Sequence, residues 1–501
     1  MDRKRAKKIR NARVIMTNIF MGLSVIAIVF VLMLIAMGFS FNENGSLEQS
    51  GLLQITSHPN GATVEIDGKV QFGRTTINKM LSSGEHHIKI SKDGFDTWEK
   101  NVRIDSGLLT NINWVRLFPH NPTTEDIAQY EEPRLVSFSL DRKTLLYGEK
   151  DSAYLLMVNL QDDHGATTKI DVTKLLNITS KETARNALLN VVAWNESGNK
   201  VILTWKDGDN LYWYLADLED PENSINLTAK FGYTFSSMLI GNESASKLWA
   251  VENGNLHLID LGNLTIHQTK ITGVESLANN RDVVIYASTD TTTGTHAINI
   301  FREGETGSTL IKDLTDITVT SVTLSTGTYW GEDWVAYSIN NTIELLGGRY
   351  PSFDKPAKNP LKSTLKRNLS YAPTALLRDL EHHIVIFSDG NNRTAFDFET
   401  KDYFDSRTEN TVKSHWFDDY LIWYNDANKI FVQDFDGNNV REIISNVNNS
   451  FPICLSENNR WIYYFDTVIE EKETTETVDA NAETGTESII HYALKRKKLN
   501  Y

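Results

Sequence analysis

The sequence predicts an all-β protein tethered by one N-terminal membrane helix, and three observations carry that prediction. Short runs rich in β-branched and aromatic residues recur along the 501-residue chain, which holds 11 Trp, 18 Tyr and 21 Phe, a bias that suits pleated surfaces better than helix interiors. From about residue 130 onward a turn–strand–strand unit repeats roughly every 45 residues, the period of four-stranded propeller blades. Near the N-terminus, residues 19–41 carry no charge.

The uncharged stretch "IFMGLSVIAIVFVLMLIAMGFSF" is long enough as a helix, at about 1.5 Å per residue, to cross a hydrocarbon core of about 30 Å. Its N-terminal flank, residues 1–18, holds Arg3, Lys4, Arg5, Lys7, Lys8, Arg10 and Arg13 against Asp2, whereas the following "NENGSLEQS" has no cation. The positive-inside bias therefore places the basic tail in the cytoplasm and everything after about residue 42 outside. A cleaved signal peptide is the alternative, but its apolar core runs only about 7–15 residues. The segment contains no cysteine, which excludes a lipoprotein anchor. The net charge is -15, and seven cations against one anion in residues 1–13 make that end locally basic, which leaves an acidic body that phosphate backbones would be repelled by, so nucleic acid is excluded as a partner.

After a polar spacer, residues 42–50, come "LLQITS", "HPNG" and "ATVEIDG". Val64 and Ile66 alternate toward one face up to an Asp67-Gly68 hairpin turn, and "GEHHIKISKDGF" repeats the pattern with Ile88 and Ile90 before Asp93-Gly94. Pro59, Gly61, Ala62, Val64, Ile66, Asp67 and Gly68, then Gly73-Arg74-Thr75-Thr76, then Gly84 and Gly94-Phe95, make residues 51–118 resemble the PEGA domain. Thr76 stands where that family usually has Pro, and Asn60 where it has Glu. The resemblance implies a small β-sandwich-like module of prokaryotic surface proteins, extracytoplasmic and without catalysis.

A linker is expected at residues 119–130, and residues 131–501 hold the repeats. Examples are "FSLDRKTLLYGE", "WNESGNKVILTW", "EHHIVIFSDG" and "SENNRWIYYFD". First strands near residues 136, 191, 236, 275, 321, 379, 414 and 454 predict a β-propeller of about eight blades, with seven as the alternative. Residues 138–145, 194–201 and 455–462 resemble the first half of the TolB-type propeller repeat without its Pro, and "IFVQDFDGNNVREI" resembles the second half. Residues 470–488, "EEKETTETVDANAETGTES", are acidic and nearly free of apolar side chains, so they read as a flexible loop.

The lone Cys454 sits between Ile453 and Leu455 and reads as a buried thiol. Twelve histidines form no His-Glu-x-x-His motif, and the doublets His86-His87 and His382-His383 are expected in strands, where neighbours face opposite ways. "DGDN" at 207–210 and "DFDGNN" at 434–439 lack the Gly and Glu of calcium loops and read as hairpin turns. Sequons at Asn177, Asn226 and Asn263 are attributed to the Asn-rich composition. Trp194, Trp205, Trp249, Trp334, Trp423 and Trp461 fall inside strand patterns and are assigned to core packing, which leaves Trp98, Trp330 and Trp416 as candidate sugar-stacking platforms.

These readings lead to one expectation: a single-pass protein of a prokaryotic cell envelope, N-terminus cytoplasmic, presenting PEGA and propeller surfaces to a protein or glycan partner. No catalytic, cofactor or metal residue is assigned, and the one partner assigned by residue is the lipid bilayer along residues 19–41. The alternative is a propeller enzyme, a glycoside hydrolase or lyase, with two carboxyls about 5–10 Å apart in one opening.

Overall fold

The computed structural model describes residues 3–499 except 37, 42–46, 163–164, 243, 291, 356–357, 380, 446, 448–450 and 479–480. The side chains of residues 1–12 and 470–489 fall outside the described residues, and with them those of all but one cation of the basic block and of the acidic tract. The chain divides into two compact units, residues 1–121 with 500–501, and residues 122–499.

In the first unit α1 spans Arg3–Ala36, and its stretch Arg13–Leu34 has a mean hydropathy of 2.5 with none of it buried. The helix is offset from the uncharged run. It begins in the basic tail, where Arg, Lys and Ala are strong helix formers, and it stops before Gly38, whose φ of +78° is the left-handed conformation that ends helices. Residues 39–41, expected inside the membrane helix, form strand β1 (Phe39–Phe41), paired with β2 (Leu47–Gln49).

Seven further strands follow: β3 (Gly51–His58), β4 (Thr63–Ile66), β5 (Lys69–Arg74), β6 (Ile77–Leu81), β7 (Gly84–Ser91), β8 (Trp98–Ile104) and β9 (Leu109–Arg116). They build a three-stranded sheet, β6-β3-β9, and a four-stranded sheet, β5-β4-β7-β8. Alternation does the sorting. In β3 every second residue from Gly51 to Ser57 is buried, and Leu53 and Ile55 join Val64, Ile66, Ile88, Ile90, Val102 and Ile112 in one apolar cluster. The Asp67-Gly68 turn between β4 and β5 is locked from the side: Asp67 accepts from His87 N at 2.9 Å and faces His86 Nδ1 at 2.6 Å.

The second unit is a β-propeller. Among the described residues it contains eight four-stranded antiparallel sheets, numbered here by their first strands: sheet 1 (Pro133–Phe138), 2 (Leu188–Trp194), 3 (Phe235–Ile240), 4 (Val274–Asn280), 5 (Val322–Tyr329), 6 (Ala375–Arg378), 7 (Ser414–Trp416) and 8 (Cys454–Leu455). Each of the eight sequence positions expected to start a unit falls on, or within one residue of, one of these strands. Central strands are apolar on both faces because each sheet is covered on both sides; Ile384, Val385, Ile386 and Phe387 are all fully buried.

Consecutive sheets touch through named pairs. Sheets 3 and 4 meet at Trp249 and Phe301, centroids 5.9 Å apart; sheets 5 and 6 at Trp334 and Phe398, 4.5 Å; sheets 6 and 7 at Phe404 and Phe435, 5.6 Å. Tyr147 of sheet 1 stacks on Phe465 of sheet 8 at 5.2 Å, so the last sheet packs on the first and the row closes. The closing sheet is shared between the two ends of the unit. Its outermost strand is β10 (Thr124–Tyr130), which pairs with Asn481–Lys498. Residues 124–130, expected as linker, are therefore a strand; their partner lies more than 350 residues away, beyond the reach of any local pattern.

The acidic tract is also paired rather than looped: strands Trp461–Val478 and Asn481–Lys498 run in register from Trp461↔Lys498 to Val478↔Asn481. Composition denies the tract a core, but backbone ladders need none, and its threonines favour extended backbone.

One local device recurs in the turn after the first strand. A Ser, Asn or Asp accepts the backbone N–H five residues on: Ser139 from Thr144, Asn195 from Lys200, Asn242 from Lys247, Asp379 from Ile384 and Ser456 from Trp461, at 2.7–3.1 Å. Side chains that bond their own backbone hold such turns closed.

Candidate functional site

In sheet 5, Tyr329 pairs with Glu332 across a two-residue turn, Trp330-Gly331. Both turn residues have positive φ, +46° and +72°, the type I′ geometry that matches strand twist. Glycine adopts it freely, whereas a bulky residue there costs on the order of 1–3 kcal/mol. Trp330 recovers nothing by burial, since it is 89% exposed. Strain spent on holding an indole in water is the kind of outlier that marks functional sites.

Beside this turn lies the segment that leaves the third strand of sheet 6 (Asn392–Asp397). Asp397 Oδ1 accepts from Glu399 N at 2.7 Å, which fixes the bend and turns Glu399 and Lys401 toward Trp330. Together the two segments enclose a half-open cavity of about 350 Å³ lined by Tyr329, Trp330, Glu332, Trp334, Phe398, Glu399 and Lys401. Trp334 stacks on Phe398 with planes 17° apart, and its Nε1 donates to His382 O at 2.8 Å, so the floor is rigid. The polar groups are tied in place: Tyr329 OH donates to Glu399 Oε2 at 3.1 Å, and Lys401 Nζ lies 3.5 Å from Glu332. Burial and the Glu399 charge push the Tyr329 phenol up, so it remains a donor at all physiological pH.

Behind the cavity, His383 Nδ1 and Asp379 Oδ2 lie 2.7 Å apart, both buried. The imidazole sits between the rings of Tyr329 (5.5 Å) and Tyr420 (4.6 Å). Burial works against the charged imidazole, but the Asp379 bond and charge prevail and hold His383 above its ordinary value. Burial raises the Asp397 carboxyl. Burial, and after it the charges of Asp418 and Asp379, lifts Asp419 to about 6.

This arrangement offers flat apolar faces beside two carboxylates and one ammonium, the combination that grips a pyranose: ring face on indole, hydroxyls on charged groups. Of the three candidate platforms only Trp330 reaches it. Trp98 is fully buried and packs edge-on against Trp114 at 5.5 Å; the apolar core of the first unit claims it. Trp416 is half-buried in the first strand of sheet 7.

His86-His87 lie in β7 as expected, but His382-His383 sit in the turn before Ile384–Ser388, with His382 at φ +62°, because Asp379 closes that turn around them. Residues 207–210 form a hairpin turn in which Asp207 pairs with Asn210. Among the described residues no group of three His, Cys, Asp or Glu could hold a metal ion. Cys454 is buried and its thiol pushed up to about 12.

Sequence reasoning missed Tyr329, Glu332, Phe398, Glu399 and Lys401. A tryptophan in the position where hairpins prefer Asn or Asp before Gly was the one local signal, and it points only to Trp330-Gly331 and its strand neighbours.

Residues 50–116 match the PEGA domain family. No curated protein matches the chain in sequence. Among solved structures, the chain is similar to Kluyveromyces lactis Hsv2, with 9% identity, a TM-score of 0.38, and coverage of 72% of this chain and 99% of that one. It is also similar to the β-propeller domain of Myceliophteria thermophila Cps50 (Swd1), with 11% identity, a TM-score of 0.37, and coverage of 64% and 99%. A third is Porphyromonas gingivalis dipeptidyl peptidase 4, with 9% identity, a TM-score of 0.46, and coverage of 72% of this chain and 58% of that one.

Proposed function

We propose that this chain is a membrane-anchored, extracytoplasmic binding protein of a prokaryotic envelope, in which α1 spans the bilayer, the PEGA domain is a small β-sandwich and the eight sheets of the second unit are eight blades that present a glycan-binding cavity. The observation that carries the reading is the Trp330 cavity: a strained turn displays an indole beside Tyr329, Glu332, Glu399 and Lys401. The N-terminal cations and the apolar helix support the topology.

A second reading is supported by the same place. Glu332 and Glu399 line one cavity, as a glycoside hydrolase or lyase would require. Binding is favoured because both carboxylates are solvent-exposed and already engaged by Lys401 and Tyr329, whereas a general acid is kept protonated by apolar enclosure.

The test uses the full chain in nanodiscs, titrated with neutral and amino-sugar oligosaccharides while tryptophan fluorescence is followed. Saturable binding that Trp330→Ala weakens at least tenfold, without release of reducing ends, is expected. Reducing-end release abolished by Glu332→Gln or Glu399→Gln would establish the enzyme instead, and unchanged binding in Trp330→Ala would overturn the cavity assignment.

A further inference from the structure

We infer that one end of the PEGA domain rests on the lipid headgroup layer of the same bilayer that holds α1, through Leu108, Leu109 and Met80; this rests on the reading of α1 as a membrane anchor. Three large apolar side chains are left in solvent at that end, Leu108 61%, Leu109 57% and Met80 46% exposed, although the domain has an apolar core that takes their neighbours Ile104 and Ile112.

The chain path places them. The apolar stretch of α1 ends at Leu34. Four residues on, Gly38 O accepts from Ser50 N at 2.7 Å; Ser50 O accepts from Gly107 N at 3.0 Å; and Leu108 O accepts from Leu52 N at 2.9 Å. Two successive hydrogen bonds thus connect the exit of the helix to Gly107, the neighbour of Leu108, and a third ties Leu108 to the start of β3. Met80 is as close, since a Cβ built on Gly38 would lie 3.6 Å from Met80 Cε. The headgroup layer is about 5–8 Å deep on each side of the hydrocarbon core. A backbone this near the helix exit lies within or against it.

Strand directions identify the opposite end. β3 leaves Gly51 beside Leu81 of β6 and Leu52 beside Leu109 of β9, and β7 leaves Gly84 beside Ile104. The Asp93-Gly94 turn after β7 is therefore one strand away, about 26 Å for eight residues. The headgroup end carries both signs of charge, Arg103 with Asp105 at 3.1 Å and Lys79 near Glu85 in sequence. That mixture suits a zwitterionic surface; a docking site for strongly anionic lipid would be cationic.

The test places a bimane label on the full chain at Leu108→Cys, at Leu109→Cys in a second variant, and at Asp93→Cys as the distal control. Cys454 is buried and stays unlabelled. The protein is reconstituted into phosphatidylcholine vesicles containing lipid with a nitroxide near the headgroup. At least twofold quenching at 108 and 109 with none at 93 is expected, unchanged when phosphatidylglycerol is added. Equal quenching at all three positions, or none at 108 and 109 in protein that floats with the vesicles, overturns the seating while leaving the anchor intact. Label protection that disappears on dilution to one chain per vesicle would mean that a second copy covers the patch, and overturns it too. Failure to float with the vesicles overturns anchor and seating together.

Discussion

Replacing Asp379 by alanine should be among the most damaging single changes in the propeller. Its carboxylate is buried, with Oδ1 accepting Ile384 N at 2.7 Å and Oδ2 facing His383 Nδ1 at 2.7 Å. Alanine leaves two buried donors without an acceptor, at about 1.5–3 kcal/mol each because both bonds go to a charged group. The expected loss is about 3–6 kcal/mol. With an unfolding entropy of about 2.1 cal/mol/K per residue, a unit of this size loses about 1.3 °C of midpoint per kcal/mol, so Asp379→Ala should melt about 4–8 °C lower at fixed scan rate. Asn195→Ala removes the same turn bond where the acceptor is a neutral amide and the bond only part-buried; about 1 kcal/mol is expected there. Asp379→Asn keeps an acceptor for Ile384 but loses the charge. The folded value of His383 is raised, so its share of stability is complete below its ordinary 6.5 and lost as pH rises through the folded value; Asp379→Asn should flatten that slope. A midpoint for Asp379→Ala within 1 °C of wild type would refute the reasoning.

Four other outcomes follow from geometry elsewhere in the chain. In the PEGA domain, burial opposes the charged form of His86, but its bonds to Asp67 and Ser82 O prevail and raise it, while burial of Asp67 is outweighed by the His86 bond and the His87 N–H, which lower it. Their contribution is therefore greatest between about pH 4 and 6.5, falling above as His86 deprotonates and below as Asp67 protonates; because the carboxylate is half-exposed, His86→Ala should cost only about 1–2 kcal/mol at pH 6 and less at pH 8, as measured by urea melts. Gly51→Ala should lower the melting point of the first unit, since a Cβ there would lie 2.5 Å from Asp105 O and from Ile104 Cγ2, an overpacking cost of about 1–3 kcal/mol. Gly68→Ala meets no atom within 4 Å and should cost about 1 kcal/mol through its φ of +74° alone. Iodoacetamide should leave Cys454 untouched in the native protein and modify it fully in 6 M guanidinium, read by mass spectrometry; rapid native modification would contradict its burial.

What the sequence by itself determined is whatever is written within a few residues. Alternation in β4 and β7, the Asp67-Gly68 and Asp93-Gly94 turns, the uncharged run and the starts of the repeats are all local, because strand facing has a period of two and turn geometry depends on adjacent residues. The tertiary structure decided everything that joins distant segments. Only it revealed that β10 completes sheet 8, that Trp98 belongs to a core, that Asp379 folds the His382-His383 doublet into a turn, and that Glu399 and Lys401 face Trp330 about seventy residues away. The physical reason is the same in each case. Backbone ladders, close packing and charge pairing act through space, and a pattern of nearest neighbours along the chain carries no record of which face a ring of sheets will bring against another.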